Sequence, residues 1–212
     1  QPPDHHPEGD VFRHTMLVMY HAPKTPVMAM AALLHDVGKP VTQDTSTGRI
    51  RFPGHEHVGA EMTRVILNRL RFSGDFIDQV VHLVDTHMMF LQVEKLRKSK
   101  LRALLGHRMI EEMMALHQAD CFGSNSDFSH LHFVKEKLEE FAAIQEPVLP
   151  EAFVDGRDII ALGITPGPVF KEILTAVREA QLEGEVTTRQ EALEKVKELS
   201  QAPMFFAFDT KN

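Results

Sequence analysis

The sequence predicts an all-α protein: a helical core followed by a small helical C-terminal extension. Three observations carry that expectation. The chain has 11 Met and is rich in Leu and Ala, while only 7% of it is aromatic, with no Trp and one Tyr; such a composition favours helices over a β-sandwich. Apolar residues recur at helical spacing in one segment after another. Capping residues precede those segments, and Gly or Pro follows them.

Asp10 is a good N-cap for a first helix reaching about His21, where Pro23 stops it. Thr25-Pro26 opens a second, with Pro at its first position. This helix, expected from Pro26 to about Val37, is apolar nearly all round and belongs in the middle of the fold. Gly38 is expected to end it. Residues 39 to 54 read as a polar loop, and a helix follows from about His55 to Arg71. Ser73-Gly74-Asp75 starts the next, whose Phe76, Ile77, Val80, Val81, Val84 and Met88 form one buried stripe. Ser99 is the expected cap of a short helix. Longer ones follow from about Arg108 to Asp120 and from Phe128 to Ile144. Pro147-Val148-Leu149-Pro150 is the boundary candidate, giving domains 1–145 and 146–212. Beyond it, helices are expected near 158–162, 168–182 and 188–199, with turns at Gly163, Pro166-Gly167 and Gly184.

At 212 residues the chain can bury one sizeable core. Its single cysteine excludes an internal disulfide framework and fits a reducing, cytoplasmic setting. The longest apolar run, Val27 to Leu34, is far too short for a membrane span, and no signal peptide precedes it. The first residue is Gln rather than Met, so a fragment or a processed form is expected. A net charge of −7 argues against nucleic acid as the main partner. One stretch departs from this: Lys95, Arg97, Lys98, Lys100, Arg102 and Arg108 occur with no acidic residue among them. It reads as a solvated loop and helix face, with anion binding as the sharper alternative.

The histidines point to chemistry. All 13 lie between residues 5 and 132, and imidazole is a favoured metal ligand and acid–base group. The sharpest local signal is Leu33-Leu34-His35-Asp36-Val37-Gly38-Lys39. Neighbouring side chains on a helix diverge by ~100°, so His35 and Asp36 can address one ion only where the helix ends. A charged Asp on the most buried helix is costly unless paired or metal-bound. His14 on the preceding helix and Asp120 at the end of a later one can face the same point. The resulting set of two nitrogens and two carboxylates suits Mn, Fe, Co, Ni, Zn or, less readily, Mg. His55 and His87 are placed to hold a second divalent ion, with Asp36 bridging.

The order His14…His35-Asp36…Asp120 resembles the HD superfamily of metal-dependent phosphohydrolases, and His55 and His87 resemble its two-metal phosphodiesterase branch. Three blocks are similar to the HD region of bacterial CCA-adding enzymes, tRNA nucleotidyltransferases of the poly(A) polymerase family: His5-His6-Pro7-Glu8-Gly9-Asp10-Val11, His35-Asp36-Val37-Gly38-Lys39-Pro40 and Gly54-His55-Glu56-His57-Val58-Gly59-Ala60. Leu162-Gly163-Ile164-Thr165-Pro166-Gly167-Pro168 looks like their C-terminal segment. The nucleotidyltransferase head of that family, with its glycine-serine turn and carboxylates, has no counterpart in these residues. The resemblance implies an HD-domain core and hydrolysis of phosphate esters, including 2′,3′-cyclic nucleotides. A metal-bound water is then expected to attack phosphorus, with Asp36 the pivotal ligand.

Lys39 is expected to bind the phosphate, or else to serve as a helix-terminal cation favoured by the dipole. Arg13 is placed either to reach substrate or on the surface, and Glu56 reads as a first-turn acid, with a proton shuttle as the alternative. His117 can face the site but is expected behind the ligands, and Cys121, which follows a ligand, has no visible activation. His21 is expected simply to pack; His5, His6, His57, His82, His107, His130 and His132 are expected at the surface or behind the ligands. The rival reading is a noncatalytic RNA-binding or scaffolding part of a tRNA nucleotidyltransferase, with tRNA as partner. The basic stretch favours it, and the 12 Asp and Glu against 7 Lys and Arg in 146–212 disfavour it. A di-iron oxygenase is a third, minor option, since ligand type alone does not fix a reaction.

Overall fold

The computed structural model describes residues 10–201 apart from Asn125. Within these residues the chain forms eleven α-helices and no strand, so the protein is all-α. The helices are α1 (Val11–His21), α2 (Pro26–Leu34), α3 (Lys39–Thr42), α4 (His55–Arg69), α5 (Gly74–Thr86), α6 (Lys98–Leu105), α7 (Ile110–Gly123), α8 (Ser129–Ala143), α9 (Gly156–Ala161), α10 (Pro168–Glu183) and α11 (Arg189–Gln201). A 3₁₀ stretch, Met89–Lys95, links α5 to α6 and is interrupted by a non-helical Gln92. The block at residues 5–11 that contributed to the sequence resemblance lies mostly outside the described residues, as do His5 and His6.

Packing divides the chain into two units that are discontinuous in sequence. One runs up to Glu94 and resumes at Arg108–Lys137; the other combines Lys95–His107 with the residues from Leu138 onward.

In the first unit α4 packs on α5, α1 on α7, and α2 against α1, α5 and α7. Helix α2 therefore lies at the centre, as its sequence predicts. Met28, Ala31, Ala32 and Leu34 are buried, but Leu33 is 41% exposed, so one edge of the helix reaches solvent. The expected caps form. Asp10 accepts the Arg13 N–H at 2.8 Å, Thr25 that of Met28 at 3.3 Å, and Ser73 that of Phe76 at 3.4 Å, each satisfying a donor that the first turn leaves orphaned.

Two local expectations are corrected. Helix α2 ends at Leu34, and residues 35–38 form tight turns in which Val37 N–H donates to Leu34 O and Lys39 N–H to Asp36 O. Gly38 does not end the helix by a left-handed turn, because its φ is −77°. It is glycine for want of space: a Cβ there would lie 2.2 Å from His55 O and 2.8 Å from Gly59 N. The start of α4 thus rests on the turn that carries His35 and Asp36. Ser99 is not the cap of α6 either. Arg97 holds that position and Ser99 lies inside the helix, buried, its N–H donating to Glu183 at 2.9 Å.

The second unit has its own apolar cluster: Val154, Ile159, Ile173, Val177, Ala180, Val186, Ala192 and Val196. Asp155 and Asp158 form a capping box on α9, and Gly184 ends α10 at φ 87°, the left-handed conformation that favours glycine. Three of the six residues of the basic stretch are engaged within this unit. Arg97 and Lys100 pair with Glu179 at 2.6 and 2.7 Å. Arg102 is buried and donates to the carbonyls of Val148 and Pro147 at 2.9 and 2.7 Å, pairs with Glu146 and lies over the Phe141 ring. These contacts favour a structural role over an anion-binding patch.

Candidate metal centre

Six of the sequence-selected side chains meet in the first unit. His14 comes from the middle of α1, His35 and Asp36 from the turn after α2, His55 from the first position of α4, His87 from the C-cap of α5 and Asp120 from the last turn of α7. They fall into two triads, His14–His35–Asp120 and Asp36–His55–His87, with candidate ligand atoms within 4.8 Å of one another in each. The four histidines and Asp36 are buried, and Asp120 is partly exposed.

Each imidazole is fixed by its other nitrogen. The Nδ1 atoms of His35, His55 and His87 lie 2.8, 2.8 and 2.7 Å from the carbonyl three residues earlier: Ala32, Phe52 and Val84. His14 Nδ1 lies 3.0 Å from Gly123 O. A carbonyl only accepts, so each Nδ1 carries the proton, and the neutral ring presents a bare lone pair at Nε2. Those lone pairs face each other: His14 Nε2 lies 3.2 Å from His35 Nε2, and His55 Nε2 lies 3.2 Å from His87 Nε2. Two acceptors at this separation repel unless a proton or a cation lies with them.

The carboxylates complete the arrangement. Asp120 Oδ1 is 3.0 Å from His14 Nε2 and 3.8 Å from His35 Nε2. Asp36 faces both triads, with Oδ2 3.4 Å from His35 Nε2 and Oδ1 3.3 Å from His55 Nε2. Asp36 Oδ2 is buried and accepts no hydrogen bond of good geometry, although Lys39 Nζ lies 2.6 Å away as an ion-pair partner. Helix α2 ends at Leu34, five residues before Lys39, so Lys39 is not in its last turn. It is held by Asp36 and by the Phe52 ring, 5.5 Å from Nζ.

The electrostatics follow from this crowding. Burial lowers the His35 pKa, but the charge and hydrogen bond of Asp36 outweigh it and raise it to about 9. His14 is also raised, burial being overcome by Asp120. Burial and the neighbouring His35 charge depress His87 to about 4. Asp36 and Asp120 both lie well below the usual carboxylate range; burial raises them, but the histidines around them prevail. Without a metal, His14 and His35 are drawn toward the protonated form, whereas His87 is pushed toward the neutral one. Converging nitrogens, an under-satisfied buried carboxylate oxygen and anchored Nδ1 atoms form a donor set that fits divalent ions.

A cavity of 390 Å³ opens on the cluster, lined by Asp36, Lys39, His55, His87 and Asp120 together with Ile50, Phe52, Met88, Leu91, His117, Cys121, Ser124, Asp127 and His130. Arg13 is exposed and does not line it, so the structure does not bring Arg13 to the site. Glu56 Oε2 lies 3.4 Å from His55 Nδ1, and His57 pairs with Asp85 on the surface. His117 is buried and stacks on Phe90. Burial and the charges of Asp120 and Asp127 push the Cys121 thiol up to about 12, in line with an unactivated cysteine. Sequence reasoning did not single out Phe52, whose carbonyl holds His55, or Gly123. A Cβ on Gly123 would lie 2.9 Å from Val18 Cγ2 and 3.2 Å from His14 Nδ1. The only sequence signal for Phe52 is its place three residues before a histidine.

Comparison with known proteins places the chain in a family. The chain is 35% identical over 195 residues to the A-adding tRNA nucleotidyltransferase of Deinococcus radiodurans, covering 86% of this chain and 45% of that protein. It is 35% identical over 190 residues to the CC-adding tRNA nucleotidyltransferase of Thermus thermophilus, covering 85% and 43%. It is 33% identical over 191 residues to the Multifunctional CCA protein of Methylococcus capsulatus, covering 85% and 43%. The chain thus spans less than half the length of these relatives. No solved structure matches it. The family model for tRNA nucleotidyltransferase domain 2 matches residues 56–196, from the start of α4 into α11, and the chain belongs to that family.

Proposed function

We propose that the chain is a helical portion of a tRNA nucleotidyltransferase and that its histidine–aspartate cluster is a two-ion, metal-dependent phosphohydrolase site of the HD type. Family membership supports the first half. The observation that carries the second is the pair of 3.2 Å Nε2···Nε2 contacts between rings whose Nδ1 atoms are already bound to carbonyls. Such contacts make sense around cations. His14, His35 and Asp120 would hold one ion and His55 and His87 the other, with Asp36 turned to both.

Divalent ions held there supply Lewis acidity, making water a stronger nucleophile at neutral pH and neutralising phosphoryl charge. The chain's own residues do the rest. Lys39, buried beside Asp36, offers an ammonium to a phosphoryl oxygen at the cavity floor. The carbonyls of Ala32, Phe52, Val84 and Gly123 keep the four imidazoles in one tautomer and orientation. The apolar side chains of Ile50, Met88 and Leu91 limit water around the reacting group.

Metal analysis and assays on 2′,3′-cyclic AMP and a general phosphatase substrate test this reading. The wild-type chain is expected to bind two divalent ions and hydrolyse phosphate esters. Asp36→Ala is expected to lose both properties while remaining helical by circular dichroism, and His87→Ala to lose one ion. Full hydrolysis by Asp36→Ala would overturn the reading.

A second reading has its own support, because two of the three relatives are named as tRNA nucleotidyltransferases and none of the three for hydrolysis. Under it the chain is a noncatalytic RNA-binding or scaffolding portion. No metal and no hydrolysis, with tRNA binding that weakens steeply as salt rises, would select it.

A further inference from the structure

We infer that the outer face of α1 is a self-association surface, through which two copies of the chain pair with their α1 helices antiparallel about Met16. The inference is independent of the hydrolase reading, since no ligand of the candidate metal centre lies on that face.

Helix α1 is apolar nearly all round, yet only one side of it is covered. Val18 is fully buried, and His14 and Thr15 are buried beside it. Met16 lies two residues from Val18, ~200° round the helix, and so points the opposite way. With it stand Phe12 and Tyr20, four residues to either side and each 74% exposed. Residues spaced by four drift only ~40° per step, so the three side chains make one stripe at the solvent pole of the helix. A surface helix ordinarily carries polar residues there, whereas one that is apolar on both sides belongs between two partners. The stripe continues at its C-terminal end. The His21 ring lies edge-on to Tyr20 at 5.1 Å and stacks at 4.6 Å on Phe122 of α7, which is itself exposed. The patch is thus contiguous, unlike apolar residues scattered singly over a surface.

The occupant follows from the symmetry of the stripe. Turned end over end about Met16, Phe12 takes the place of Tyr20 and Met16 stays where it was. The stripe is its own complement, as the isologous interface of a twofold dimer requires. The ends match as well. Asp10 caps the N-terminus of α1, while Lys24 Nζ donates to the carbonyls of Met19 and Tyr20 at the C-terminus and lies over the Tyr20 ring. Antiparallel pairing sets the acidic end of each helix at the basic end of the other and opposes the two helix dipoles. Arg13, which the metal centre leaves unused, is exposed and stands two turns before Tyr20 on the same flank. In the pair its guanidinium meets the partner's Tyr20 ring, a cation–π contact. Area sets the strength. Aromatic side chains bury ~150–250 Å² each, so the exposed parts of Phe12, Tyr20 and Phe122 together with Met16 offer roughly 500 Å² per copy. A pair then buries about 1,000 Å², the lower limit of a specific interface, which points to a dissociation constant of about 10 μM rather than nanomolar. The helix clamped in this way is the one that carries His14.

The test uses the full chain. Sedimentation velocity over about 1 to about 100 μM should show the mass rising from one chain to two, with the midpoint near about 10 μM. Met16→Glu opposes two carboxylates at the twofold axis and should weaken association about a hundredfold, with an unchanged far-UV circular dichroism spectrum. Val65→Glu, on α4, is the control: Val65 is 70% exposed but lies off the stripe, so its substitution should leave association intact. Met16→Cys should cross-link to itself on mild oxidation, because the axis brings the two copies of residue 16 together, and Val65→Cys should not. The native Cys121 is buried and gives little background. A chain that stays monomeric at about 100 μM would overturn the inference and leave the stripe to be covered by the remainder of a longer chain. So would a dimer that Met16→Glu leaves intact, or cross-linking of Met16→Cys no faster than that of Val65→Cys.

Discussion

Substituting Gly38 by alanine perturbs the site through packing alone. The new Cβ would lie 2.2 Å from His55 O, 2.8 Å from Gly59 N and 3.0 Å from His55 C, whereas ordinary contact begins near 3.4 Å. All three atoms are backbone, so no rotamer change relieves the overlap. Either the 35–38 turn or the first turn of α4 must move by about an ångström. Overpacking of this kind costs ~1–3 kcal/mol, and the rigidity of both partners places Gly38→Ala near the upper limit, ~3 kcal/mol. The shift separates His55 Nε2 from Asp36 Oδ1, now 3.3 Å apart, and metal affinity should fall about 10- to 100-fold. Urea unfolding followed by far-UV circular dichroism reads the first effect as a lower midpoint with unchanged m. Competition with a chromogenic chelator reads the second. Gly59→Ala is the control, because its Cβ would meet nothing nearer than 3.4 Å. A Gly38→Ala protein as stable and as metal-avid as Gly59→Ala would refute the reasoning.

The metal-free chain should be most stable near pH 6.5. The contribution from His35 is complete below its ordinary 6.5 and is lost as pH rises through about 9; the buried neutral His87, depressed to about 4, costs stability as pH falls below 6.5, and the contributions of Asp36 and Asp120 are present above the ordinary 3.8 and lost below it. Unfolding midpoints between pH 3 and 10 should trace that dome, and a flat profile would contradict it. Metal uptake at pH 7.5 must expel the His35 proton, so the calorimetric heat should depend on the ionisation enthalpy of the buffer. Arg102→Ala removes two hydrogen bonds to carbonyls, an ion pair with Glu146 and the contact with Phe141. It should destabilise the second unit by ~3 kcal/mol in urea, and Arg102→Lys should not restore it, because an ammonium cannot reproduce the fork. Cys121, buried and with its thiol pushed up to about 12, should resist thiol reagents at pH 8 in the folded protein and react promptly in urea.

Much of the fold was legible because its signals are local. Asp10, Thr25 and Ser73 cap the helices they precede in sequence, since a cap needs only a side-chain oxygen and an amide two or three residues on. What distant residues decide was not legible. The affiliation of α6 with the second unit depends on Arg102 reaching the carbonyls of Pro147 and Val148, and nothing near residue 102 announces that. Gly38 was legible as a necessary glycine but not for the right reason. A turn after a buried helix invites a left-handed residue, and the close approach of α4 is visible only in three dimensions.

The candidate site divides in the same way. His35 and Asp36 could be singled out because an imidazole and a carboxylate at the end of the most apolar helix are costly there without a partner. Lys39 was read as a phosphate binder and Arg13 as either a substrate contact or a surface residue. Of the two, only Lys39 lines the cavity, because the turn after α2 folds it back onto Asp36, whereas Arg13 follows the exposed face of α1. His87 was the least marked of the six, one turn past an apolar stripe, yet its placement is the most informative. A neutral buried ring at the C-cap of α5, its Nδ1 anchored to Val84 O and its Nε2 against that of His55, makes no favourable contact through that second nitrogen by itself. Hydrophobic packing alone would place Leu or Phe there at lower cost. That a histidine stands in its place, matched by a second ring presented in the same way, is the physical reason for reading the cluster as a place built for cations rather than as a satisfied polar core.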